Sequence, residues 1–96
     1  LFGTTDLLAC GALDGLKHDL ALRVPEDIRV VGFDDIEQAS WAPYDLSTVR
    51  QNAGAQAELA VAMMRARLQA PDAPIRREHP PLQPILRGTT GKTETR

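Results

Sequence analysis

Ninety-six residues suffice for one small domain, and 13 acidic against 11 basic side chains leave a formal net charge of −2. Scattered basic residues on a slightly acidic chain give no electrostatic footprint for a phosphate backbone, so this stretch by itself is not expected to grip DNA. No apolar run reaches membrane-spanning length, no signal peptide is visible, and the lone Cys10 has no partner for an internal disulfide, which fits a reducing cytoplasm.

The chain opens without Met on Leu1-Phe2, which reads as the tail of a strand, and the whole reads as a fragment. Thr4, Thr5 and Asp6 are helix N-cap candidates. Ala9, Leu13, Leu16 and Leu20 follow at i, i+4, i+7 and i+11, so one apolar stripe runs down a helix of about four turns. Cys10, among Leu8, Ala9, Gly11 and Ala12, behaves as a small apolar residue, buried or at an interface. His18 and His79 have no Cys or His at ligand spacing and read as solvated side chains, so no metal is expected.

Residues 24–35, VPEDIRVVGFDD, organise the rest. Pro25 fixes its own φ and pushes Val24 out of the helical region, so the preceding helix has to end there. Ile28, Val30, Val31 and Phe33, interrupted only by Arg29, read as a strand covered on both faces of a parallel sheet. Gly32 leaves room for something to approach the backbone. Asp34 and Asp35 then fall at the carboxyl end of the strand, the edge of an open α/β sheet where ligands bind.

That acidic pair admits three readings. Asp34 orients a ligand's hydroxyl groups or ring nitrogens, while Asp35 caps a short turn at 36–40. A metal or phosphoryl-acceptor site needs further carboxylates and a Lys at other strand ends, and the strand candidates at 47–51 and 84–88 supply neither. In the plainest reading both side chains only cap and solvate the loop.

Trp41, followed by Ala42-Pro43-Tyr44, sits in a connection, either folded under the loop or offered to a partner. LSTVRQ at 46–51 is extended. Asn52 caps a second helix reaching about Gln69, with Ala57, Val61, Met64 and Leu68 again at i, i+4, i+7 and i+11. Residues 70–84 hold five of the seven prolines, which forbids helix and favours a surface connection with at most one short edge strand. A last strand candidate contains Ile85-Leu86-Arg87, and beyond Gly91 the chain is polar and expected to be disordered.

VPEDIRVVGFDD, with TTD and ACGAL before it and LSTVRQ and LRGTT after it, resembles the C-terminal portion of the effector-binding domain of the lactose-repressor/galactose-repressor (LacI/GalR) family. The resemblance runs from about Gly3 to Thr90. It implies an α/β fold, a fragment of a two-lobed, periplasmic-binding-protein-like (type I) domain with parallel sheets flanked by helices. Residues 1–49 would belong to the C-terminal lobe, 50–70 to the crossover and a helix of the N-terminal lobe, 71–90 to a Pro-rich connection and final strand, and 91–96 to a disordered tail.

The resemblance also assigns roles. Asp34 would face a small effector, a sugar or related metabolite, with Thr5 beside it where the family usually carries Asn, and Gln51 at the hinge. Cys10, Asp14 and Trp41 would lie in a homodimer interface, and operator DNA would be met only through an N-terminal head upstream. The family's Gly shortly before the VP is absent here, so the first helix has to close another way. Two rivals remain: a sugar-binding protein of a transport system with the same fold, and an enzyme using the acidic pair. No Ser/His/Asp or Cys/His set, phosphate-binding Gly loop or zinc-ligand cluster supports catalysis or a cofactor, so the reading is a cytoplasmic sensor rather than an enzyme.

Overall fold

The computed structural model describes residues 1–91. They form two compact units, Leu1–Arg50 with the chain from Gln83 onward, and Gln51–Leu82.

In the first unit, helix α1 (Asp6–Asp14) starts where expected: Thr5 is extended, and its hydroxyl oxygen accepts the Leu8 N–H at 3.2 Å. Ala9 and Leu13 are fully buried and Leu16 is half-buried, but Leu20 is 64 % exposed, so the expected four-turn stripe stops short. The reason lies in the helix itself. From Gly15 to Asp19 it widens into a π turn, closed by the Leu20 N–H on the Gly15 carbonyl at 3.1 Å, and the extra residue in the turn rotates Leu20 off the apolar face. Ala21 then takes φ +54°, the left-handed geometry that the absent glycine would have supplied. Arg23 and Asp27 complete the reversal, with the Asp27 carboxylate accepting the backbone N–H, Nε and Nη2 of Arg23 at 2.8 to 3.1 Å.

Residues 30–34 run through the middle of the unit joined to their neighbours by isolated bridges at Val31 and Asp34, not as the continuous strand expected from Ile28 to Phe33. The Val31 N–H donates to Leu1 and its carbonyl accepts from Gly3, whereas the N–H groups of Gly32 and Asp34 turn the other way, to Ser47 and Val49, all at 2.8 to 2.9 Å. Both pairings are parallel. On the far side, β1 (Thr48–Arg50) pairs antiparallel with β2 (Gln83–Ile85), a short edge strand beside the parallel pairings. Pro84, lacking an N–H, stands opposite Val49, which is tolerable only in an edge strand.

The core under the sheet is Ala9, Cys10, Leu13, Val30, Ala39 and Leu46, with Leu16, Val24, Ile36 and Tyr44 packed around it. Val30 and Gly32 face it. Val31 and Phe33 alternate to the opposite face and are only half-buried, so coverage on both faces, as the unbroken apolar run suggested, is not complete among the described residues. The closing element is a 3₁₀ turn, Gly88–Thr90. Thr89, buried, donates its hydroxyl to the Val30 carbonyl at 2.7 Å and accepts the Ser47 N–H at 2.9 Å, stitching two sheet segments together.

In the second unit, Asn52 Oδ1 accepts the Ala55 N–H at 2.9 Å and caps α2 (Ala53–Gln69). Its expected stripe is not buried: Val61, Met64 and Leu68 are all exposed, Leu68 by 73 %. The periodicity defines an apolar face, but no described residue covers it. Residues 71–79 run exposed over the surface, and the Arg67 guanidinium gathers them by donating to the carbonyls of Pro71 and Ala73 at 2.7 and 2.8 Å. No helix among the described residues is long and apolar enough to cross a membrane. Apart from Gly91, the expected tail over 91–96 lies outside the described residues.

Candidate functional site

Asp6, Asp34 and Asp35 belong to the carboxyl end of the central segment, and each carboxylate has different surroundings. Asp6, in the first turn of α1, is fully buried: Oδ1 accepts the Thr48 hydroxyl at 2.6 Å and Oδ2 accepts the Ile36 N–H at 2.8 Å. Its own N–H donates to the Phe33 carbonyl at 2.9 Å, which ties the start of α1 to the same sheet end. A Cβ on residue 32 would stand 2.2 Å from Asp6 Oδ1, so what approaches the backbone at Gly32 is the chain's own carboxylate.

Asp35 is held by charge. Arg50 donates to its Oδ2 from Nε and Nη2, both at 2.7 Å, and Arg87 Nη2 donates to Oδ1 at 3.0 Å; the Asp35 side chain is 9 % exposed. Burial pushes the Asp35 carboxyl up, and the hydrogen bonds and charge of the two guanidinium groups outweigh that, holding it below the usual carboxylate value. The turn Glu37–Ser40 has no side-chain cap, which corrects the cap expected of Asp35: the N–H preceding that turn belongs to Ile36 and is taken by Asp6.

Asp34 is exposed, whereas Asp6 is buried and Asp35 nearly so. Its N–H makes the last rung to Val49, at 2.9 Å, and pairs the segment with Arg50. Asp34 and Asp35 have φ of +123° and +60°, two successive non-glycine residues in a region that side chains seldom adopt. Such strain persists only where surrounding contacts over-determine it, and it concentrates at ligand sites. The site presents one negatively charged acceptor on a fixed backbone, suited to hydroxyl or ring N–H donors.

The sequence profile described as a periplasmic binding protein-like domain matches residues 1–90. The chain belongs to that family. Within the family its kinship is with the effector-binding domain of LacI/GalR regulators, as the sequence motifs implied. It is 35 % identical over 86 residues to the ribose operon repressor of Escherichia coli (strain K12), covering 90 % of this chain and 25 % of that protein. Among solved structures, a LacI-family transcriptional regulator from Sanguibacter keddieii matches with a TM-score of 0.75 and 30 % identity, over 94 % of this chain and 34 % of that one. The Lac repressor dimer bound to operator and the anti-inducer ONPF matches with a TM-score of 0.77 and 29 % identity, over 93 % and 30 % of the two chains. The chain thus spans about a quarter of the length of the curated relatives it matches.

Against this family background, the site residues read from the sequence separate. Thr5 and Asp34 are brought to one end of the sheet through the bond between Asp6 and Phe33. Thr5 is half-buried and its oxygen caps α1, an acceptor role that leaves the hydroxyl proton able to donate. Gln51 belongs to the other unit, where its Oε1 accepts from Gln56 at 3.0 Å. Trp41 is 47 % exposed, and Asp14 is exposed and accepts the Tyr44 hydroxyl at 3.4 Å. Cys10 is 6 % exposed within the core and has little surface to give a partner; burial first, then the charges of Asp6 and Asp14, push its thiol up. Among the described residues no three His, Cys, Asp or Glu side chains are grouped as a metal requires.

Sequence reading missed the roles of Asp6, Arg50 and Arg87.

Proposed function

We propose that this chain is the effector-sensing and dimerisation portion of a cytoplasmic DNA-binding transcriptional repressor that responds to a small sugar-like metabolite. The observation that carries the reading is Asp34: an exposed carboxylate on a positive-φ backbone at the carboxyl end of a segment paired in parallel with its neighbours. A polyhydroxylated ligand supplies the donors such a group accepts, and each charge-assisted bond contributes roughly 1.5 to 3 kcal/mol. The kinship with a ribose operon repressor and with a repressor solved on its operator supports regulation rather than transport or catalysis.

In this reading Leu1–Arg50 with the closing segment is part of the C-terminal lobe, α2 is part of the N-terminal lobe, and Thr5 and Gln51 are further effector-contact candidates, one in each lobe. A second copy packs on the surface carrying Asp14 and Trp41, with Cys10 supporting it from beneath, so that paired subunits present two DNA-reading heads to a palindromic site. The effector acts by preferring one lobe arrangement; moving the balance from 1:99 to 99:1 takes about 5.5 kcal/mol of differential affinity.

The test uses the full-length protein, its operator DNA labelled for fluorescence anisotropy, and D-ribose with a panel of other pentoses and hexoses as probes. Asp34→Ala is expected to keep operator affinity and to weaken the sugar response at least about a hundredfold, the equivalent of two lost bonds at 1.4 kcal/mol per decade. A normal sugar response in that variant removes Asp34 from the site, and an operator affinity unmoved by every sugar in the unaltered protein refutes the sugar reading.

A further inference from the structure

We propose that Arg50 is a positioning residue: with Arg87 it clasps Asp35 and so holds the positive-φ turn that aims Asp34 at the effector. The inference rests on Asp34 being an effector ligand, but the clasp is argued from geometry of its own. Asp34 and Asp35 adopt φ of +123° and +60°; an Asp enters the left-handed region of Asp35 at modest cost, but the φ of Asp34 lies outside it and needs its surroundings to hold it. Three contacts hold Asp35. Its N–H meets the Thr48 hydroxyl at 3.3 Å, Arg87 takes Oδ1 at 3.0 Å, and Arg50 takes Oδ2 with two nitrogens at 2.7 Å.

The two arginines differ in what else they do. Arg87 Nη1 also donates to the Leu46 carbonyl at 2.9 Å, its backbone N–H donates to Ser47 Oγ at 2.7 Å, and its side chain is 16 % exposed, so it is built into the sheet. The Arg50 side chain is half-exposed, and the side-chain contacts described for it all go to Asp35. Arg50 is also the last residue of its unit, after which the chain crosses into the other at Gln51. Its backbone pairs with Asp34 in the sheet while its side chain grips the next residue, Asp35. Any shift of the crossing segment is therefore felt at the turn beneath Asp34 twice, through the main chain and through the guanidinium. Because the Arg50 guanidinium is half-exposed and Arg87 still pairs with Asp35 in its absence, removing Arg50 is expected to lower stability modestly and to act chiefly on ligand affinity.

The test compares the unaltered full-length protein with Arg50→Ala, Arg50→Lys and Asp35→Asn by amide hydrogen exchange read on the peptide spanning 33–36, by thermal melting, and by titration with D-ribose. Arg50→Ala is expected to speed exchange across the turn about tenfold or more while shifting the melting temperature by no more than a few degrees. Arg50→Lys is expected to restore most of the protection, because both Arg50 nitrogens reach the same carboxylate oxygen and one ammonium can take their place. Asp35→Asn is expected to resemble Arg50→Ala at the turn. In the ribose titration, Arg50→Ala weakens binding several-fold and Arg50→Lys recovers it. Unchanged exchange over 33–36 in Arg50→Ala overturns the clasp whatever the sugar does, as does a loosened turn that Arg50→Lys leaves unrescued. A loosened turn with ribose affinity equal to that of the unaltered protein overturns the positioning role, and absence of any ribose binding in the unaltered protein counts against the sugar reading while the exchange data still decide the clasp.

Discussion

Gly32→Ala adds one methyl group at the most crowded point of the sheet. Its carbon would lie 2.2 Å from Asp6 Oδ1 and 3.0 Å from Leu46 Cδ2, both on fully buried residues. Asp6 has no room to yield without releasing the Thr48 hydroxyl at 2.6 Å or the Ile36 N–H at 2.8 Å. Hydrogen bonds to a charged acceptor contribute roughly 1.5 to 3 kcal/mol each, and overpacking a filled core costs typically 1 to 3 kcal/mol. One lost bond plus partial strain gives an expected destabilisation of about 3 to 5 kcal/mol, a large share of the roughly 5 to 15 kcal/mol that a domain possesses.

Urea denaturation of the full-length protein followed by circular dichroism measures this. The same substitution in an Asp6→Ala background isolates its cause. With the carboxylate gone the methyl group has space, so Gly32→Ala is expected to cost under about 1 kcal/mol there, a coupling of 2 kcal/mol or more between the two sites. Additive costs, or a single-mutant cost below about 1 kcal/mol, would refute the account of why residue 32 is glycine.

Two further outcomes follow from backbone and charge. Ala21, at φ +54°, occupies a conformation that costs an L-residue roughly 1 to 2 kcal/mol, so Ala21→Gly is expected to stabilise by up to about 1 kcal/mol after the added unfolded-state freedom is subtracted; a lower urea midpoint argues against it. Asp35 is held below its ordinary value of 3.8, so its contribution to stability is present above that value and is lost as pH falls through the folded-state value. The gap in stability between the unaltered protein and Asp35→Asn is therefore widest near neutrality and closes below pH 4, measured by urea denaturation at a series of pH values; a gap that widens on acidification contradicts the clasp's electrostatics.

Local signals in the sequence carried the elements whose causes are local. Thr5 and Asn52 cap the helices they precede, and the proline density over 70–84 keeps that stretch out of helix except for an edge pairing. Leu20 was misjudged because a helical stripe assumes 3.6 residues per turn, and one π turn between Gly15 and Asp19 breaks the count. The site was half legible. A carboxylate at the end of an extended segment follows from VVGFDD, but which of three carboxylates stays exposed depends on Thr48, Arg50 and Arg87, 15 to 52 positions away from the Asp residues they engage. Spacing arguments do not reach that far. The α2 stripe shows the same limit from the other side, since periodicity names a face and not its partner.

The stitch made by Thr89 has a consequence for how the protein is born. Val30 and Ser47 emerge from a ribosome some 40 to 60 residues before the threonine that joins them. The first unit must therefore wait, with its sheet unfastened, while the whole of α2 and the proline-rich stretch are synthesised. During that interval the unpaired edge at Val30 and Ser47 is open to wrong association, and a nascent chain stalled before residue 89 is expected to be a substrate for proteolysis.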